Sequence, residues 1–154
     1  MKADPEVIRI LNDLLTNELT AINQYFIHAK MCANWGFTQL ATTIRAESID
    51  EMKHADQVID RILYLDGVPN LQRLNKLRVG ESVREMLQSD VELEYAALKF
   101  LNESIETVSK LNDRGTEELL RAILVGEEAH TDWLETQLGL IDKLGEQAYL
   151  AQKL

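Results

Sequence analysis

A single cysteine, Cys32, in 154 residues leaves no partner for an internal disulfide, so the fold must be held by its core and not by crosslinks. Two prolines and seven glycines are too few for a collagen-like, loop-dominated or disordered chain. Basic residues are in the minority. Sixteen Lys and Arg face 26 Asp and Glu, and the net charge of −10 argues against general attraction to nucleic-acid phosphates while favouring cations. No uninterrupted apolar run is long enough to span a bilayer, and Met1-Lys2-Ala3-Asp4-Pro5 lacks the apolar centre of a secretory signal. The expectation is a cytoplasmic, reducing setting without membrane contact, with Cys32 as a small buried hydrophobe.

What the chain does have is 45% hydrophobic residues set at helical spacing, in a length that fits one domain, 1–154, with a sizeable core. Asp4-Pro5 reads as an N-cap followed by proline at the first helical position. From there Ile8, Leu11, Leu15, Ile22 and Ala29 step by three and four, and the two positions completing that series are Glu18 and Tyr25. Asn34-Trp35-Gly36 ends the first helix. A second runs from about Thr38 to Leu65 with Leu40, Ile44, Val58, Ile62 and Leu65 on its inner face, which also carries Glu47, Glu51 and His54.

Asp66 to Gly80 has no clean period and reads as a long crossover. Ser82-x-x-Glu85 is a capping box opening a third helix, whose stripe of Leu87, Val91, Leu98, Leu101, Ile105 and Val108 is interrupted only by Glu94. Asn112 to Gly115 reads as a turn, with Thr116 capping a fourth helix lined by Leu120, Ile123, Leu134, Leu138 and Ile141. After Gly145 there is room for two helical turns at most. Two short-loop hairpins joined by one long crossover, with a short fifth helix at the C-terminus, predict an all-α, ferritin-like four-helix bundle.

Six of the polar residues on these core stripes repeat at one offset. Glu18 recurs as Glu94, Glu51 as Glu127 and His54 as His130, each pair 76 residues apart. Glutamate is rarely buried unless paired or bound to metal, and residues at i and i+3 share a helix face. Each Glu-x-x-His pair, Glu51-Met52-Lys53-His54 and Glu127-Glu128-Ala129-His130, can therefore offer an oxygen and a nitrogen to one ion. One such pair alone is more often a solvated charge pair. Two copies at the offset of two further core glutamates point to a di-metal site, with Glu51 and Glu127 bridging. Four carboxylates and two divalent ions would leave it neutral. Thiolate-free ligation suits iron or manganese, with zinc as the alternative.

Other residues divide between packing and function. Tyr25 lies about 20° around the helix from Glu18 and could fill the core, hydrogen-bond a ligand or donate an electron. Met52 points about 100° away from Glu51 toward a flank, where it could pack or serve as an axial haem ligand in a pocket with Leu19, Ile22, Asn23 and Phe26. Glu47 is either a solvent-facing charge or a carboxylate supporting the site or an ion path. His28 reads as an ordinary surface or interface residue, and Trp35 and Trp133 as packing residues.

The ligand set, together with Asn17-Glu18-Leu19, Ala21-Ile22-Asn23-Gln24-Tyr25-Phe26, Glu47-Ser48-Ile49-Asp50-Glu51-Met52-Lys53-His54-Ala55-Asp56, Pro69-Asn70-Leu71-Gln72 and Asp132-Trp133-Leu134-Glu135, resembles the bacterioferritin family over essentially the whole chain. The resemblance implies a hollow shell of twenty-four subunits that oxidises Fe²⁺ at the bundle centre with O₂ or H₂O₂ and stores ferric mineral inside. It also implies haem b held between pairs of subunits by Met52 of each, and a ferredoxin-type electron donor that releases the iron. A shell mixing two kinds of subunit is conceivable. Departures from the commoner pattern are Ala46, where a histidine of an inner-surface iron site is often found although Asp50 remains, Ala148 and Ala151, where asparagine and glutamine often line a four-fold channel, and Arg45, which replaces a tyrosine near the haem pocket. Two rival readings are a haem-binding electron-transfer shell with a structural zinc site, and a di-iron oxidase of another ferritin-like branch.

Overall fold

In the structure, a computed structural model describing residues 2–154, five helices follow one another: α1 (Pro5–Asn34), α2 (Thr38–Tyr64), α3 (Val83–Lys110), α4 (Arg114–Leu144) and α5 (Glu146–Ala151). Among the described residues there is no strand, and no helix is long and apolar enough to cross a membrane. The expected all-α bundle with one long crossover and a short fifth helix is the fold observed. α1 packs chiefly on α2 and α3 on α4, while α1–α3 and α2–α4 contacts close the two hairpins into a bundle.

Local chemistry sets the helix starts. The Asp4 carboxylate accepts from the Glu6 amide at 2.8 Å with Pro5 in the first turn. Ser82 accepts from the Glu85 amide at 3.2 Å, and Glu85 reaches back to the Glu81 amide at 2.8 Å, one residue earlier than the capping box predicts. α4 departs from expectation. It starts at Arg114, inside the expected turn, because Asp113 and not Thr116 is the cap. Asp113 accepts from the Thr116 amide at 3.1 Å and the Thr116 hydroxyl at 2.8 Å, and the Arg61 guanidinium of α2 fixes it at 2.8 Å.

The core is two apolar clusters. One gathers Leu11, Leu14, Leu15, Val58, Ile62, Leu101, Val108 and Leu120; the other gathers Tyr25, Cys32, Leu40, Ile44, Met86, Leu87, Leu134 and Tyr149. Cys32 is fully buried, as expected, and Trp133 packs against the second cluster. Trp35, expected to pack, is instead exposed over 39% of its surface.

The crossover carries no secondary structure between Asp66 and Gly80 beyond a turn and a bend, so its backbone groups need partners elsewhere. α1 supplies them at four-residue steps. Asn12 donates to the Val68 carbonyl at 3.1 Å and accepts from the Asn70 amide at 2.8 Å. Thr16 accepts from the Arg73 side chain at 2.9 Å, Thr20 from the Asn75 amide at 3.0 Å, Gln24 from the Arg78 amide at 3.1 Å, and His28 Nε2 from the Gly80 amide at 3.0 Å. His28 is therefore no surface residue. It is fully buried, and its Nδ1 lies 2.9 Å from Asp90 Oδ1, which also accepts from Gln24 at 2.9 Å. Because Nε2 accepts from Gly80, the ring proton must sit on Nδ1 and be donated to Asp90. Gly80 itself is required, since a Cβ there would stand 2.4 Å from the Met86 amide nitrogen.

This ladder should weigh on stability according to burial. His28→Ala leaves the Gly80 amide without its acceptor and the buried Asp90 carboxylate with Gln24 as its one remaining donor, and should cost about 2–4 kcal/mol, whereas Asn12→Ala at the open end should cost about 1 kcal/mol. Denaturant unfolding of the two variants beside the parent checks the order.

Candidate metal centre

The bundle brings all six repeated residues to one point. Glu18 comes from α1, Glu51 and His54 from α2, Glu94 from α3, and Glu127 and His130 from α4. All four glutamates are buried, with Glu51 and Glu94 at zero exposure. Two groups form: Glu18, Glu51, His54 and Glu127, then Glu51, Glu94, Glu127 and His130, each with one ligand atom per residue within 4.8 Å of the others. Glu51 and Glu127 are shared. Glu127 Oε1 lies 3.5 Å from His54 Nδ1 and 3.4 Å from His130 Nδ1, and Glu51 Oε1 lies 3.7 and 3.1 Å from the same two atoms. Glu18 stands 3.4 Å from His54 Nδ1, and Glu94 3.7 Å from His130 Nδ1.

The donor atoms fit metal ions. Buried atoms without a hydrogen-bond partner include Glu18 Oε2, both oxygens of Glu51, Glu94 Oε2, Glu127 Oε1 and the Nδ1 of both histidines. A buried carboxylate left unpaired is costly, and these atoms face one another. Burial, followed by the neighbouring carboxylates, raises the pKa values of Glu18 and Glu51 well above the ordinary range. Glu127 is pushed up to about 10, again chiefly by burial. Burial lowers the pKa of His54. It pulls the same way on His130, where Glu127, Glu51 and Glu94 outweigh it and raise the value.

Around this set, Tyr25 is fully buried and its hydroxyl donates to Glu94 Oε1, so the residue both fills the core and holds a carboxylate of the cluster. Glu47 is buried, not solvent-facing; its Oε2 is unpaired, and burial raises its pKa to about 8. Asp90, one turn before Glu94, is buried on the same face, where its spacing from Leu87 and Glu94 was a readable signal. Asp50 Oδ2 lies 3.2 Å from His130 Nε2. Two openings reach the cluster. A cleft of about 370 Å³ between α2 and α4 is lined by Asp50, Lys53, His54 and His130 among others. A narrower space of about 60 Å³ lies against Asn17, Glu18, Asn75, Glu94 and Glu127.

Met52 stands apart on the outer face of α2, 55% exposed and one turn after Ile49, which is 43% exposed; the α1 residue Phe26 is 46% exposed. The Arg45 guanidinium sits 5.6 Å over the Phe26 ring. An exposed thioether one turn from an apolar side chain has the chemistry of an axial ligand to a haem iron.

Comparison with known proteins agrees with the geometry. A family model described as the ferritin-like domain matches residues 8–144. The bacterioferritin of Streptomyces coelicolor is 55% identical over 151 residues, 98% of this chain and 90% of the relative. BfrA, a bacterioferritin of Mycobacterium tuberculosis, is 53% identical over 152 residues, 99% of this chain and 96% of the relative. A solved structure of M. tuberculosis bacterioferritin BfrA superposes with a TM-score of 0.99 at 52% identity, covering 100% of this chain and 97% of that one. Matched in sequence nearly end to end and in fold throughout, the chain belongs to the bacterioferritins, within the ferritin-like family.

Proposed function

We propose that this protein stores iron, acting as a ferroxidase whose Fe²⁺ substrate binds at the centre of a single ferritin-like di-iron domain spanning the chain. One observation carries the reading: seven buried ligand atoms without hydrogen-bond partners, from four carboxylates and two imidazoles, converge in two groups that share two residues. Glu18 and His54 hold one ion, Glu94 and His130 the other, and Glu51 and Glu127 bridge. Two Fe²⁺ ions give up one electron each. Dioxygen takes the pair with two protons to become H₂O₂, or H₂O₂ takes it with two protons to become two waters. Bridging carboxylates stabilise both charge states of the ion pair. Glu47, buried one turn before Glu51 with its pKa raised by that burial, is a carboxyl that can carry a proton beside the site, and Tyr25 orients Glu94 and is the aromatic side chain from which an electron can be drawn.

In this reading the subunits form a twenty-four-membered cytoplasmic shell around the ferric mineral, of one subunit type or mixed with a second. Haem b, carried between paired subunits by Met52 of each, supplies one-electron chemistry when bound, and a ferredoxin-type donor reduces the stored iron. The family membership and the end-to-end likeness to proteins named bacterioferritin support it. So does the outward, exposed Met52 one turn from Ile49.

Three outcomes follow. Mixing metal-free protein with two Fe²⁺ per subunit in air should give a fast stopped-flow phase saturating at that ratio. Glu51→Ala and Glu127→Ala should slow it by at least about 100-fold, the upper end of what loss of a group merely supporting a ligand costs; wild-type rates in both would refute the site. Met52→Leu should abolish a bis-thioether haem spectrum while leaving the initial oxidation rate intact.

The third concerns pH. Glu18, Glu47, Glu51 and Glu127 have folded-state pKa values above the ordinary glutamate range, so the folded state keeps protons that the unfolded chain releases. Their contribution to stability is full below about pH 4.3 and is lost as pH rises through about 8 for Glu47 and about 10 for Glu127. His54, with its lowered pKa, works in the opposite direction but is one group against four. The metal-free protein should therefore melt at lower temperature at pH 9 than at pH 6, and Zn²⁺ or Co²⁺, replacing the protons, should flatten or invert that trend.

A further inference from the structure

The 76-residue offset that pairs the ligands fails one position before each Glu-x-x-His. Asp50 precedes Glu51, but its counterpart preceding Glu127 is Gly126. The two positions meet the two histidines in opposite ways. Asp50 Oδ2 lies 3.2 Å from the outer nitrogen of His130, Nε2. A Cβ at Gly126 would stand 3.2 Å from both Cε1 and Nε2 of His54, so the His54 ring lies against bare backbone where its twin has a carboxylate. His54 is also the more open, its side chain 15% exposed against 9% for His130.

This difference bears on metal binding. An imidazole whose far N–H is held by a carboxylate has its tautomer and orientation fixed and donates more strongly through the other nitrogen. His130 has that support, with Nδ1 aimed at Glu51, Glu94 and Glu127. The cluster-facing Nδ1 of each histidine lacks a hydrogen-bond partner and both rings line the cleft, so the two differ at the outer nitrogen, where His54 meets only the bare backbone of Gly126. Without a carboxylate on Nε2, the tautomer and angle of His54 are held less firmly than those of His130.

We propose that the two halves of the centre are unequal by construction: the half-site of Glu94 and His130 is the retaining position, filled first and emptied last, and the half-site of Glu18 and His54 is the exchanging one. Asp50 is the positioning residue that creates the difference, and Gly126 marks the place where its counterpart is missing. The inference rests on the di-metal reading above and adds a ranking to it. Asp50 is itself half-exposed, with 49% of its side chain accessible, so its effect belongs at the lower end of the 10–100-fold range for such supporting groups.

The test uses Co²⁺, followed by visible absorbance and calorimetry on the assembled metal-free protein at about 0.15 M salt, where long-range charge is screened. His54→Ala isolates one half-site and His130→Ala the other. His54→Ala should keep one Co²⁺ at the affinity of the parent's tighter step, and His130→Ala should bind one Co²⁺ about 10-fold or more weakly. Adding Asp50→Ala should lower affinity about 10-fold in the His54→Ala protein and leave the His130→Ala protein unchanged. Gly126→Ala, which crowds only His54, should weaken the looser step alone, and Asp50→Asn provides an isosteric check that a loss reflects charge and not folding. Equal affinities in the two single-histidine variants, or an Asp50→Ala effect of the same size in both, would overturn the ranking while leaving the di-metal reading standing. No Co²⁺ bound by the parent protein would overturn both.

Discussion

Four carboxylates enclosed at one level of a helical bundle set the terms for the rest of this molecule. Like charges a few ångströms apart in a medium of low polarisability cannot all remain ionised without cations or protons between them. The bundle answers with two imidazoles, raised carboxylate pKa values and a ring of unpaired donor atoms. The apolar core is divided in consequence. One hydrophobic cluster lies toward each end of the bundle, and together they hold the helices in register around a layer that does not favour folding by itself. Under the proposed function, the six candidate ligands can thus pass between protonated and metal-bound states without the fold being at stake in each exchange.

α1 connects these parts because it presents different functions on different faces. Glu18 and Tyr25 look inward to the carboxylate layer. Asn12, Thr16, Thr20, Gln24 and His28 form a second face that carries the crossover. Phe26 lies on a third, under Arg45 of α2. Asp90 joins two of these faces, since it receives His28 and Gln24 from the ladder while standing one turn before Glu94. Positioning of the metal ligands and anchoring of the longest loop therefore share a buried polar cluster.

Much of this was legible in the sequence, for physical reasons. Helices announce themselves through periodic burial and through caps such as Asp4-Pro5 and Ser82-x-x-Glu85, and the ligands through charged residues in apolar stripes at one offset. What was not legible depends on partners far away in sequence. His28 looks unremarkable on its own helix because its partners, Gly80 and Asp90, lie on a loop without period and on another helix. Asn112, Asp113 and Thr116 are all plausible at a helix start, and Arg61 of α2 is what fixes the cap at Asp113. Glu47 could not be assigned a side until the bundle closed over it. Asp50 was visible as a residue, but its contact with His130 was not.

The ladder gives the crossover an uncommon character for a loop. Each four-residue step along α1 advances about 6 Å, and the crossover keeps pace with two or three residues, from Asn70 through Arg73, Asn75 and Arg78 to Gly80. Loops commonly absorb insertions and deletions at the surface, whereas this one is metered against a helix. A residue gained or lost between Asn70 and Gly80 would shift every later donor away from its acceptor and leave His28 and Gln24 facing the wrong groups in the interior. The segment with the least secondary structure is thereby among those whose length the fold holds most strictly.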